Sequence, residues 1–191
     1  MRTNLIKERL ASRLLCTLAL LLSYWVPQAV AADPLPTAQG RVVLTVTGNI
    51  TVTNSNEPLR DNGANEVEFD LALLESLPQH EFITKTPWTD GEHHFRGVLL
   101  QDLLQRVGAQ STRVKAVALN AYFHHFDSGS PELSSLLVAT HFDGKPMKIR
   151  DKGPVWLMLP LSEYKELDTK LYYELLLWQL KSLDVGYGED L

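Results

Sequence analysis

Residues 142–160 read FDGKPMKIRDKGPVWLMLP, and this string constrains the fold more than any other. Asp143-Gly144 is a turn dipeptide, because glycine takes positive φ without steric cost. Residues 155–159 are apolar without a break. A strand with no polar alternation is covered on both faces, so the chain has to place structure on either side of it. Between turn and strand stand Lys145, Lys148, Arg150 and Lys152, followed by Gly153-Pro154. A basic, glycine-containing loop that enters a buried strand can hold an anion, and it can equally be a solvated turn. Arginine suits an oxyanion because its planar fork donates two parallel hydrogen bonds. Arg150 and Lys152 are therefore the candidate anion contacts.

The rest of the chain supplies the covering elements. Val42, Leu44 and Val46 alternate on one face of a strand over 42–46. Gly48-Asn49 is a turn, residues 50–53 read as a second short strand, and residues 54–65 as a polar loop. Asp70 is placed to cap a helix running to Leu77, with Leu71, Leu74 and Leu77 on one face and Pro78 as its stop. Residues 81–86 and 92–95 read as strands joined across 87–91. A second helix is predicted over 99–107, with Leu99, Leu100, Leu103, Leu104 and Val107 as its apolar stripe and Gly108 beyond its end. Residues 114–119, 122–126, 136–140, 155–159 and 178–185 read as strands, with helical turns at 132–135 and 162–167. Strands mixed with a few short helices predict a single α+β domain that is mostly β.

Export is the second constraint. Arg2, Lys7, Arg9 and Arg13 lead into an apolar run over 14–22, and Ala29-Val30-Ala31 is a small-x-small cleavage pattern. The run is shorter than the ~20 residues a membrane span needs. Residues 1–31 are thus expected to be a cleaved signal peptide, 32–40 a tether and 41–191 the domain, located in the periplasm with no transmembrane segment left in the mature chain. No two arginines are adjacent, which points to export of an unfolded chain with no cofactor loaded beforehand. The single cysteine, Cys16, falls inside the signal, so the domain has no thiol for a disulfide or a metal. Its core alone must hold it, and about 160 residues suffice for that. The whole chain carries a net charge of −5, and the first 31 residues hold four of the basic side chains and one acidic one. The domain is therefore more acidic still, which argues against nucleic acid as a partner.

Several segments, taken in order, resemble the oxidoreductase molybdopterin-binding domain of sulfite oxidases and their small exported relatives. The first is Phe95-Arg96-Gly97-Val98-Leu99-Leu100-Gln101-Asp102-Leu103-Leu104 followed by Val107-Gly108-Ala109. The second is Asp143-Gly144-Lys145-Pro146 with Arg150, Gly153-Pro154 and the apolar strand up to Pro160. The third is the closing Trp178-Gln179-Leu180-Lys181-Ser182-Leu183. Together they span about residues 42–185. The resemblance implies a sulfite oxidase-type fold and a molybdopterin pocket near the loop at Arg150 and Lys152, where basic residues would meet the pterin phosphate. It also implies a cysteine ligand to molybdenum at the end of the strand after the Val-Gly-Ala helix. Here that strand is 114–119, and Asn120 stands near the expected cysteine. An amide oxygen is a poor substitute for a soft thiolate.

The expected binding residues are therefore Asn120, Tyr122 on the same strand face, Trp88 in the loop before Gly91, Arg150, Lys152 and, on the last strand, Lys181. Trp156 and Trp178 are assigned to the core. No catalytic residue and no metal ligand are assigned. Adjacent strand residues face opposite ways, so His93 with His94, and His124 with His125, do not share a metal. His80 and His141 complete the set, and a site combining one histidine from each pair with His141 stays open. Three functions follow. The chain is expected to be an exported, non-redox module that binds a small ligand, an anion among the candidates, or a membrane sensor protein. The alternative is a molybdopterin-dependent oxidoreductase that ligates its metal without cysteine. A histidine-based metal carrier is the third. The cofactor stays unknown, with molybdopterin implied only by the resemblance.

Overall fold

A computed structural model describes residues 34–54 and 65–188. The expected signal peptide lies outside the described residues, as does most of the loop expected at 54–65. Two five-stranded sheets carry the fold, and their strands are numbered in chain order. The first sheet contains β1 (Val42–Gly48), β2 (Asn65–Asp70), β5 (Arg113–Ala118), β6 (Phe123–Asp127) and β10 (Leu180–Val185). Its order is β2-β1-β10-β5-β6, and only the β1–β10 pair is parallel. The second contains β3 (His80–Thr84), β4 (His93–Leu99), β7 (Leu137–Phe142), β8 (Lys145–Pro146) and β9 (Trp156–Met158). There β7 is central, paired with β4 along one edge and with β8 and β9 along the other.

Among the described residues three short α-helices, α1 (Leu71–Glu75), α2 (Leu100–Arg106) and α3 (Lys170–Tyr173), accompany the sheets, with three single turns of 3-10 helix. Among the described residues no helix is long and apolar enough to cross a membrane. This is the α+β, mostly β architecture expected from the sequence.

The double burial expected of residues 155–159 is present. Leu157 enters the main core with Leu44, Val46, Phe69, Leu103 and Leu183, whereas Trp156 and Met158 point into a second core with Phe95, Leu137 and Met147. β7 does the same, with Val138 in the main core and Leu137 and Ala139 in the second. Each such side chain contributes about 1.5–3 kcal/mol through burial. Gly97 permits the close packing of β4 on β7, because a Cβ there would strike the carbonyl oxygen of Val138. The Asp143-Gly144 turn takes φ of 47° and 74°, the pair of left-handed residues that a tight hairpin between β7 and β8 requires.

Some expected elements form differently. Residues 50–53 do not make a strand. Ile50 forms one bridge to Ala109, and the Thr51 and Val52 N–H groups donate to the carbonyls of Val107 and Gly108 at the end of α2. Those carbonyls have no partner within the helix, so the segment serves as their donor. The antiparallel partner of β1 is instead β2, where Val67 and Phe69 alternate with Glu66 and Glu68. α1 stops at Glu75 and buries Leu73 and Leu74. The last strand starts at Leu180 rather than at 178, because Gln179 turns to a φ of 52°.

Candidate functional site

The turn between β5 and β6 builds one side of a cleft. The Ala121 N–H donates to the Ala118 carbonyl at 3.0 Å, Ala121 takes a φ of 66°, and the Asn120 side-chain oxygen accepts the Tyr122 N–H at 3.0 Å. This closed loop leaves Asn120 and Tyr122 at the rim, with Tyr122 49% exposed.

Trp88 closes the opposite side. Its own N–H donates to the Thr86 hydroxyl at 3.1 Å, and the Thr86 N–H donates to the Thr89 hydroxyl at 3.0 Å, which fixes the loop. The Trp88 ring stands at 72° to Trp178, with centroids 5.3 Å apart, and at 73° to Tyr173, at 5.9 Å. The Tyr173 hydroxyl donates to Asp168 at 2.7 Å and so holds its ring. Beneath, the Trp156 indole N–H donates to the Leu176 carbonyl at 3.0 Å. The cleft between them measures about 280 Å³.

Glu174 is the charged side chain among the described lining residues. Its carboxylate lies 3.8 Å from His124 Nδ1. Burial holds the His124 pKa below the ordinary histidine value, against the pull of Glu174.

The six residues expected to bind do not all share this cavity. Trp88, Asn120 and Tyr122 do. Arg150 and Lys152 line a neighbouring depression of about 490 Å³, with Lys145, Lys148 and Asp151. Arg150 Nε lies 3.5 Å from Asp151, both well exposed, and Lys152 Nζ sits 5.6 Å from the centroid of the Trp156 ring. Gln179 ties this loop to the segment before β10, its N–H donating to the Lys152 carbonyl and its side chain to that of Ile149. Lys181 faces a third, smaller hollow with Arg41 and Pro154.

Sequence reasoning placed Trp156 in the core, where it is 1% exposed. Trp178, placed there as well, packs half-buried against the second core and also forms a cleft wall. Tyr173 and Glu174 were not singled out. Their only sequence signal is the Tyr172-Tyr173-Glu174 cluster ahead of an apolar run, which does not say what it meets.

The histidines are engaged separately. His93 bridges Asp143 at 2.8 Å and the Asp90 carbonyl at 2.9 Å, and stacks on Phe142 at 4.4 Å. The Asp143 hydrogen bond raises its pKa. His94 faces the other way and reaches Glu81 at 3.2 Å. Among the described residues no group of three His, Cys, Asp or Glu side chains is gathered as metal ligands.

The donor set does not fit the cofactor that the resemblance implies. Asn120 stands where a thiolate is called for, and its oxygen already accepts the Tyr122 N–H. No lysine or arginine is among the described residues lining this cleft; the basic side chains that the resemblance assigns to a phosphate line the neighbouring depression instead.

No protein-family model matches this chain, and neither does any curated protein. Among solved structures, the sulfane dehydrogenase SoxCD from Paracoccus pantotrophus is similar, with a TM-score of 0.52 at 12% identity. The match covers 74% of this chain and 37% of that one, so this chain spans little more than a third of its neighbour's length. At that identity the likeness is one of fold. It agrees at a distance with the sulfite oxidase-like resemblance.

Proposed function

We propose that this chain is an exported, non-redox binding module whose cleft beneath Trp88 takes a small organic ligand, on behalf of a partner such as a membrane sensor protein. The observation that carries this reading is the cleft itself. Trp88 packs edge-to-face against Trp178 and Tyr173, and the Tyr173 ring is held by its hydroxyl's bond to Asp168. A site already in its bound shape loses little conformational freedom when a ligand enters. The cavity of about 280 Å³ lies at the small end of the ~300–1,000 Å³ usual for such sites, which suits a metabolite. Asn120, tied into its own turn, adds a polar rim rather than a metal ligand. Anion binding, expected of Arg150 and Lys152, belongs on this reading to the neighbouring depression.

Mass spectrometry of protein purified from its native source tests the reading. The expected outcome is a chain beginning near residue 32, free of molybdopterin and releasing a small organic species on denaturation. Stoichiometric molybdopterin would overturn it in favour of an oxidoreductase that ligates its metal without cysteine. A chain that retains Met1 would remove signal cleavage from the proposal.

A further inference from the structure

The cleft beneath Trp88 has a definite electrostatic character. An aromatic face is the negative side of a ring quadrupole and attracts a cation placed over it. Trp88 packs edge-to-face against Trp178 and Tyr173, at 72° and 73°, and all three rings line the cleft, as aromatic side chains line cages that hold quaternary ammonium groups. Tyr122 adds a fourth aromatic ring to the lining, and Glu174 supplies a carboxylate. The nearby His124 is kept towards its neutral form by burial, so it gives Glu174 little counter-charge at neutral pH. Arg150 and Lys152 open onto the other depression.

From these walls and this charge the geometry points to a small organic cation of the alkylammonium class as the ligand of the cleft. The inference rests on the binding-module reading and names the chemistry of its ligand. An anion would meet Glu174 and the negative ring faces. A bare ammonium would bring N–H donors that aromatic walls cannot satisfy. An alkylated ammonium spreads its charge over methyl groups, has few or no N–H groups to satisfy, and presents an apolar surface to the rings while its charge faces Glu174.

The test titrates tetramethylammonium and choline into the full chain, followed by tryptophan fluorescence and calorimetry. Dimethylbutanol, the uncharged carbon isostere of choline, is the control, and acetate is the anionic probe. Choline is expected to saturate the protein, with the isostere about tenfold weaker. Trp88→Leu keeps apolar bulk but removes the π face, and should weaken choline by about tenfold as well. Glu174→Gln should weaken it severalfold while the variant melts at the parent temperature, because the side chain is exposed. Equal affinity for choline and its isostere overturns the inference, as does unchanged choline affinity in Glu174→Gln. So does the absence of saturable cation binding up to roughly 10 mM. If dimethylbutanol or acetate binds in the cleft at least as tightly as choline and Trp88→Leu weakens it, the cation falls and the binding module stands. Stoichiometric molybdopterin in the native protein would remove the module itself, whatever the cations do.

Discussion

His141 shows how one residue ties the fold to pH. It is 4% exposed on β7, with Nδ1 2.9 Å from the Thr140 hydroxyl and Nε2 2.9 Å from Arg96 and 3.2 Å from Glu75. Burial and the Arg96 charge lower its pKa, and Glu75 opposes them. The ring therefore stays neutral in the folded protein at a pH where the unfolded chain has begun to protonate it. A histidine with a lowered folded pKa stabilises the fold fully above the unfolded value of 6.5 and loses that contribution as pH falls below it. His93 acts in the opposite sense: its raised pKa gives stability at low pH that is lost as pH climbs through the folded value. The two are separated by comparing wild type with His141→Gln in thermal melts across pH. Wild type should exceed the variant most above neutrality, and the gap should close as pH drops below about 6.5. A gap that stays constant or widens on acidification would refute the assignment.

α1 illustrates what an element of a few residues needs to exist. Five residues cannot form a stable helix alone, since nucleation is unfavourable and too few hydrogen bonds follow it. Burial of Leu73 and Leu74 and the Asp70 carboxylate hold it in place. That carboxylate accepts the Leu73 N–H at 2.8 Å as an N-cap, and also the Gln39 and Gly40 N–H groups at 2.9 and 2.7 Å. The Leu73 bond, then that of Gly40, lowers its pKa. Asp70→Ala should lower the unfolding free energy in urea by about 2–3 kcal/mol: about 1 for the cap and the rest for the two stranded donors. A loss under about 1 kcal/mol would mean that water replaces those bonds freely. Because the folded pKa is lowered, the contribution is present above the unfolded value and fades as pH falls through the folded one. Both α1 and α2 were legible in the sequence because their punctuation is local, Asp70 at one start and Gly108 at the other end. β2 was not, because its alternation rests on Val67 and Phe69 alone and runs directly into α1. Residues 50–53 misled for a physical reason: their β-branched pattern is real, but the carbonyls of Val107 and Gly108 claim their N–H groups.

At the scale of the molecule, what escaped the sequence is convergence. Trp88, Asn120 and Tyr122 could be named from local context, whereas Tyr173 and Trp178 join them only because β10 lies beside β5 in the first sheet. That strand is the last among the described residues, yet it sits between β1 and β5 and buries Leu180, Leu183 and Val185. Truncation after residue 179 should therefore abolish the cooperative melt, since β1 and β5 lose their shared partner together with three core side chains. A truncated chain that still melts cooperatively would show that β10 is dispensable. The same arrangement separates the two depressions that the sequence had joined. Trp156 lines the basic one and Trp178 the aromatic one, and the two residues bridge backbone to backbone with their ring centroids 6.5 Å apart. The Arg150 side chain is well exposed and already beside Asp151, so its charge is screened over a distance of about 8–10 Å at physiological salt. Arg150→Ala should thus leave choline affinity within about twofold, while Trp88→Leu lowers it about tenfold. Equal losses in the two variants would mean that the basic loop and the aromatic walls act on one ligand, and the cleft would then extend across the Trp156–Trp178 bridge to the loop that begins at Lys145.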